Sequence, residues 1–229
     1  TVKLPDGHNI AVCGSVDRVD VMEKDREKYL RVIDYKTGTK KFKLSDILYG
    51  LNLQMLLYLY SIKLNGAEKY GEITPAGILY MPATVPVVSA QAELSDDKID
   101  AEIDKSLKMN GLLLDDVSVI RGMDKSDSGK YIPVKIKLDT AVSERSIANL
   151  EQFGKIFKKL ENTVADMGKE LYKGNIQASP AKGAHDACEY CPYDSVCAYR
   201  MSNPINTFDV TNDEVYSSID DEIKNGGEC

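Results

Sequence analysis

Gly14-Ser15-Val16-Asp17-Arg18-Val19-Asp20 and Val32-Ile33-Asp34-Tyr35-Lys36-Thr37-Gly38 are the two stretches that decide the fold. Each alternates charged residues with β-branched ones, the period of a strand. The charged run Glu23-Lys24-Asp25-Arg26-Glu27-Lys28 between them has the composition of a hairpin connection. A turn centred between Asp25 and Arg26 sets Asp17 directly opposite Asp34. Side chains alternate between the two faces of a sheet. Asp17 and Asp34 therefore share a face with Cys13, Val19, Val21, Leu30 and Val32, and with Lys36 two residues beyond Asp34. Cys13 reads as core on that face. Opposed carboxylates repel, and unpaired charge on an apolar face is costly. A hard divalent cation such as Mg²⁺ relieves both, since it is held by one or two carboxylates plus water. Lys36 is then placed to orient an attacking water or to stabilise charge on a phosphate. The plain alternative is a two-stranded ribbon with solvated charges and an Asp–Lys surface pair.

The next segment reads as one helix. Ser45 can cap it, apolar positions from Ile47 to Ile62 repeat at helical spacing, and Gly66 can end it. Gln54 and Tyr58 are four apart and share a face. Leu53, Leu56, Leu57 and Leu59 are core positions, and a glutamine among them calls for a role other than packing.

These residues resemble a known family. Val32-Ile33-Asp34-Tyr35-Lys36 is similar to the core signature of PD-(D/E)XK nucleases. Gly14-Ser15-Val16-Asp17-Arg18 and Gln54-x-x-x-Tyr58 narrow the resemblance to the RecB-like branch. The resemblance implies an α/β fold, a restriction-endonuclease-like mixed sheet flanked by helices. It implies that Asp17, Asp34 and the Tyr35 backbone carbonyl ligate Mg²⁺, that Lys36 is the catalytic lysine, and that Gln54 and Tyr58 complete the site.

The chain has 229 residues, enough for one domain or one domain with an appendage. No apolar run is long enough to span a membrane, no signal peptide is visible, and the expected location is cytoplasmic. The opening without methionine suggests an excised fragment. The net charge of −7 argues at first sight against a DNA partner. Local patches matter more, and Lys36, Lys40, Lys41 and Lys43 cluster just past the site, where they could meet a phosphate backbone. The bland reading of that cluster is a solvated lysine-rich loop. There are no internal repeats and no Walker motif, so this piece is not expected to hydrolyse ATP.

Five cysteines are present, three of them grouped as Cys188-x-x-Cys191-x-x-x-x-x-Cys197. The grouping is poor for a disulfide scaffold and good for a thiolate-held metal or cluster. Zinc held by His185, Cys188, Cys191 and Cys197 is one possibility. The runs Gly174 to Pro180 and Ala187 to Cys197 resemble the C-terminal part of the B subunit of AddAB-type helicase–nucleases. Met109-Asn110-Gly111-Leu112 and Tyr131-Ile132-Pro133-Val134 extend that resemblance over the middle. It implies a [4Fe–4S] cluster on Cys188, Cys191 and Cys197 with a fourth cysteine far upstream, beyond this chain. It also implies a first core helix, carrying a further acid or histidine near the metal, which this chain lacks. His8, in the turn-like Pro5-Asp6-Gly7-His8, is a poor substitute. Weak or absent activity of the isolated fragment is therefore expected.

Elsewhere, Ala76 to Met81 reads as a central strand ended by Pro82 and Pro86. Asp96 to Met109 reads as an amphipathic helix presenting Ile99, Ile103 and Leu107, with Gly111 at its end. Leu112 to Ile120 and Tyr131 to Ile136 read as short strands. A long helix capped by Ser143 runs to about Leu171, with Ile147, Leu150, Phe153, Phe157, Leu160 and Val164 as its stripe. The expected organisation is a RecB-like nuclease domain over 1–200, including the cysteine segment 188–197, and a polar tail over 201–229 ending in a free Cys229. The expected activity is Mg²⁺-dependent exonucleolytic hydrolysis of DNA within an ATP-dependent helicase–nuclease, in double-strand-break repair by homologous recombination. The resemblance implies two partners, the A subunit of the helicase–nuclease and the remainder of the B subunit. The rivals are a stand-alone CRISPR-associated RecB-like nuclease and a non-catalytic DNA-binding or scaffolding module.

Overall fold

A computed structural model describes residues 1–4, 6–38, 40–84, 86–88, 95–193, 195–197 and 204–226. In chain order its strands are β1 (Val2–Lys3), β2 (Asn9–Ile10), β3 (Arg18–Lys24), β4 (Glu27–Lys36), β5 (Thr74–Pro82), β6 (Asn110–Leu114), β7 (Lys135–Lys137), β8 (Thr140–Val142), β9 (Ile147–Ala148), β10 (Ala181–Gly183) and β11 (Ile205–Thr207). Its helices are α1 (Gln54–Asn65), α2 (Ala67–Tyr70), α3 (Asp96–Ser106), α4 (Val117–Met123), α5 (Leu150–Tyr172) and α6 (Asn212–Gly226), and Leu44–Tyr49 forms a 3₁₀ helix. Contacts divide the chain into two units. One comprises Gly14–Lys43 and Gln54–Phe157, the other Thr1–Cys13, Leu44–Leu53 and Lys158–Cys229.

The first unit is built on a mixed sheet of order β3-β4-β5-β6-β9. The hairpin β3–β4 has the predicted register, from Arg18 opposite Ile33 to Lys24 opposite Glu27. Asp25 and Arg26 occupy its turn with φ of 52° and 70°, the geometry whose twist matches the flanking strands. β4 and β5 run parallel, β5 and β6 antiparallel, and β6 and β9 parallel. β5 is central, as its apolar run implies, with Ala76, Ile78, Leu79 and Tyr80 buried. On one face Ile33, Leu79, Leu113 and Ile120 gather with Ile132, Val134 and Ile136. α1 packs on β4 and β5, and its Met55, Leu56 and Leu59 are fully buried. Phe157 of α5 tilts against Tyr60 of α1 and Phe153 of its own helix.

Several expected elements are subdivided, each for a local reason. The helix read from Ser45 is a 3₁₀ helix and then α1, because Gly50 and Asn52 turn left-handed between them with φ of 70° and 52°. Ser45 is buried rather than a cap. The strand read over Leu112 to Ile120 is β6 followed by α4, since the Asp116 carboxylate accepts from the Ser118 and Val119 amides and starts a helix there. α3 stops at Ser106, and Gly111 lies inside β6. Of the Tyr131 to Ile136 segment only Lys135 and Ile136 are strand, within β7, which pairs with β8 across a turn in which Leu138 and Asp139 take positive φ. α5 begins at Leu150, not near Ser143, because Asn149 and Gln152 exchange 2.8 Å side-chain-to-amide bonds in a capping box. Ile147 therefore sits in β9, and Leu150 is exposed. Cys13 is exposed and precedes β3, so it is not core.

Asp124, just past α4, is buried and accepts from the Ser126 amide and hydroxyl at 2.8 Å and the Tyr131 amide at 2.9 Å. Burial would raise its pKa, but the donors outweigh burial and hold it below the usual carboxylate range. The ionised form is thus favoured by folding. Its contribution is present at neutral pH and is lost as pH falls through the depressed folded value. Asp124→Ala is expected to cost about 2–4 kcal/mol at pH 7 by urea denaturation. The difference from the parent should shrink as pH is lowered below the ordinary carboxylate range.

The second unit carries the two-stranded pairs β1–β2 and β10–β11. Within it the Asp46 carboxylate is buried and bonded on both oxygens, to His185 Nε2 at 2.7 Å and Asn52 Nδ2 at 2.5 Å. His8 stacks on Tyr172 at 4.2 Å. The segment expected as a polar tail contains α6, whose Val215, Tyr216 and Ile219 are buried. Their i, i+1, i+4 spacing is that of one buried helix face. Cys229 lies outside the described residues. No helix among the described residues is long and apolar enough to cross a membrane.

Candidate active site

Asp17 is an exposed residue just before β3, outside the paired register. The Tyr35 amide donates to Asp17 Oδ2 at 3.1 Å, so Asp17 faces the β4 segment that holds Asp34. Asp34 is opposite Tyr80 across the parallel pair, and Tyr80 is opposite Asn110 across the antiparallel pair. Register partners share a face. A row Asp34–Tyr80–Asn110 therefore crosses three strands on the face that also carries Leu30, Val32 and Ile78.

Asp34 is only 6% exposed. Its Oδ2 is buried and paired with the Lys36 ammonium. Lys36 lies on the same face two residues on, and its Nζ is 5.6 Å from the centre of the Tyr80 ring. A carboxylate oxygen buried in this way is expensive unless a cation shares it. Carboxylates and backbone carbonyls are the oxygen donors that hard cations take. The residues fit a divalent ion of the Mg²⁺ class.

Gln54 opens α1, and its Nε2 donates to the Tyr58 hydroxyl at 2.9 Å. Tyr58 lies over Gly14. A β-carbon there would stand 2.7 Å from Tyr58 Cε1, so glycine is what admits the ring. The α1 pair is thereby joined to the segment leading into Asp17.

The opposite face of the hairpin is structural. Arg18 Nε and Arg31 Nε donate to Asp20 at 2.8 and 3.0 Å. Burial would raise the Asp20 pKa, and the two guanidiniums hold it below the usual range. Asn110 is the residue that sequence reasoning leaves out. Its Nδ2 donates to the Lys40 carbonyl at 3.0 Å, and its Oδ1 accepts from the Phe42 amide at 2.7 Å. Nothing in the sequence signals this long-range clamp.

Cys188 and Cys191 are half-buried and Cys197 is exposed, all as free thiols. Their segment is held by local turns, with the Cys188 amide on Asp186 Oδ1 at 2.8 Å and the Cys197 amide on the Tyr193 carbonyl at 2.7 Å. Among the described residues no three His, Cys, Asp or Glu side chains gather to hold a metal ion. As placed, the three thiols do not form a cluster site. The His185 Nε2 is engaged by Asp46, which removes that nitrogen from the Cys₃His zinc set.

A family model described as the PD-(D/E)XK nuclease superfamily matches residues 2–198. Among curated proteins, the chain is 37% identical over 233 residues to the B subunit of the ATP-dependent helicase/deoxyribonuclease of Thermoanaerobacter sp. (strain X514), covering 98% of this chain and 20% of that protein. The protein of the same name from Clostridium kluyveri (strain NBRC 12016) is 39% identical over 235 residues, with 98% and 20% covered. That from Clostridium botulinum (strain Hall) is 40% identical over 229 residues, with 97% and 20% covered. The chain thus spans 20% of the length of the relatives it matches.

Proposed function

Since this chain belongs to the PD-(D/E)XK nuclease superfamily, we propose that its site hydrolyses a DNA phosphodiester, with Asp17, Asp34 and the Tyr35 carbonyl holding a divalent cation, Mg²⁺. The observation that supports this reading best is the buried Asp34 carboxylate paired with Lys36, with the Asp17 carboxylate held next to it on the Tyr35 amide. Bound there, the ion would supply Lewis-acid chemistry, acidifying a water and neutralising charge on the phosphate. Lys36 orients that water and meets the charge developing on the phosphate oxygens. Gln54 and Tyr58 hold the approach from α1, fixed to each other by their hydrogen bond.

The relatives' names support a wider context. The chain would act within an ATP-dependent helicase–nuclease, alongside its A subunit and the remainder of the B subunit, on DNA ends in double-strand-break repair. The [4Fe–4S] cluster belongs to this proposal as well. Its support is the spacing of Cys188, Cys191 and Cys197 in a chain otherwise so similar to those relatives. Iron and sulfide content of anaerobically purified protein tests it, and stoichiometric zinc without iron would rule it out.

Calorimetric titration with Mn²⁺ tests the metal site directly. The parent chain is expected to bind, and Asp17→Ala and Asp34→Ala each to lose binding. Unchanged binding in both variants would remove the site from these strands. Gly14→Ala tests the α1 contribution. The new methyl displaces Tyr58, so cleavage should fall about tenfold while stability changes by only about 1 kcal/mol.

A further inference from the structure

We propose that Lys40 is a second cation for the nucleic-acid backbone at this site, contacting a phosphate next to the one cleaved, and that Asn110 is the positioning residue that holds it there. The inference rests on the nuclease reading and adds to it.

Three observations converge. Lys36 and Lys40 direct their ammoniums at one buried ring, with Nζ atoms 5.6 and 5.4 Å from the centre of Tyr80. Their separation cannot exceed those two distances together, so two like charges share the surroundings of one ring. Lys36 is neutralised by Asp34. Among the described residues Lys40 has no acidic partner. One cation of the pair is therefore left to an outside anion, half-buried, where charge is screened less than on an open surface.

The backbone that carries Lys40 is also fixed. The stretch following β4 is lysine-rich, and free loops of that composition are solvated. Here the Asn110 side chain bridges it, donating to the Lys40 carbonyl at 3.0 Å and accepting from the Phe42 amide at 2.7 Å. An amide side chain reproduces both partners that an adjacent strand would offer. Asn110 lies in the row Asp34–Tyr80–Asn110, so the clamp acts on the face where the proposed chemistry takes place. Fixing a flexible segment costs conformational entropy. Meeting that cost already in the free protein is what raises affinity for a ligand bound there. Polar ladder neighbours at this position would serve packing alone if Lys40 turned away, but its ammonium sits over the ring between the clamp and Asp34.

The test is fluorescence-anisotropy binding of a mixed-sequence single-stranded oligonucleotide, in EDTA to prevent cleavage, across a salt series. A cation on a phosphate contributes about 0.7 to the slope of log K against log salt for single strands. Lys40→Met should lower the slope by about that amount and weaken binding about three- to tenfold near 0.1 M salt. Lys40→Arg should restore the slope. Asn110→Ala keeps the charge, so it should weaken binding with the slope unchanged, and in Mg²⁺ it should raise KM more than it lowers kcat. Lys63→Met, an exposed lysine in the last turn of α1, should match the parent. A parent that binds or cleaves DNA while Lys40→Met keeps its slope would overturn the proposal and leave the nuclease reading standing. So would a loss at Lys63→Met equal to that at Lys40→Met. A parent that binds neither the oligonucleotide nor Mn²⁺ would overturn both.

Discussion

Asp34→Ala is expected to lower Mg²⁺-dependent DNA cleavage by about a thousandfold or more, roughly 4 kcal/mol of transition-state stabilisation. The fold should survive. Asp34 is 6% exposed and its Oδ2 is paired with Lys36, so the variant removes a desolvated charge together with one ion pair. The Lys36 side chain left behind is 26% exposed and can rehydrate. Loss of one partner from a deeply buried ion pair is ordinarily destabilising, but this lysine has a route to water. Stability by urea denaturation should stay within about 1 kcal/mol of the parent. Initial rates on linear DNA, read beside the denaturation curves, separate the two effects. Parental cleavage rates in the variant would show that Asp34 is not a ligand. A folding defect with parental Mn²⁺ binding in the soluble fraction would assign it a structural role instead.

The second large effect concerns the middle of the sheet. Gly77 on β5 has φ of 135°, and a β-carbon there would lie 2.3 Å from the Leu112 carbonyl oxygen and 2.9 Å from the Leu113 Cα. Both are backbone atoms of the neighbouring strand, and neither can swing aside as a side chain could. Gly77→Ala must spread β5 from β6 or shift the register. It is expected to cost about 4 kcal/mol or more, a large part of what a domain of this size possesses. The measurement is the urea midpoint, with recovery of soluble protein as the coarser sign. A midpoint within experimental error of the parent would mean that the pair separates at little cost. Gly111, across the same two strands, meets the Ile78 carbonyl oxygen in the same way, at 2.0 Å. β5 and β6 are thus held close on a pair of residues whose only qualification is the absence of a side chain.

Legibility in the sequence followed the range of the interaction. The hairpin register was readable because its alternation and its turn lie within one local stretch, and every pair from Arg18–Ile33 to Lys24–Glu27 falls as expected. Gln54 and Tyr58 were readable because helical spacing alone puts them on one face, and the 2.9 Å bond between them follows. The central strand was readable because an unbroken apolar run has nowhere else to go. Boundaries set by single capping residues were harder. Asp116 and Asn149 each begin a helix where apolar periodicity alone suggests a continued strand or an earlier start. Gly50 and Asn52 divide a helix whose apolar pattern runs straight through them. The Asn110 clamp was beyond reading, since a side chain that serves two backbone groups some seventy residues away leaves no local pattern. Tyr216 and its neighbours were hidden by composition, because one narrow buried stripe in α6 is outnumbered by acidic residues around it.

The order of pieces along the chain has a consequence for synthesis. The sheet-bearing unit is complete once Phe157 has been added, and most of it lies in one run from Gln54 onward. The other unit needs Thr1–Cys13 and Leu44–Leu53 to wait for Lys158–Cys229. On a ribosome, the strands bearing Asp17 and Asp34 can therefore pair while α6 is still unmade, whereas Thr1–Cys13 remains without its partners until Lys158–Cys229 has emerged. Domains that finish late expose apolar surface longest and draw on chaperones most. A chain truncated after Phe157 would be expected to keep the β3–β4 hairpin and to lose the unit that Lys158–Cys229 completes.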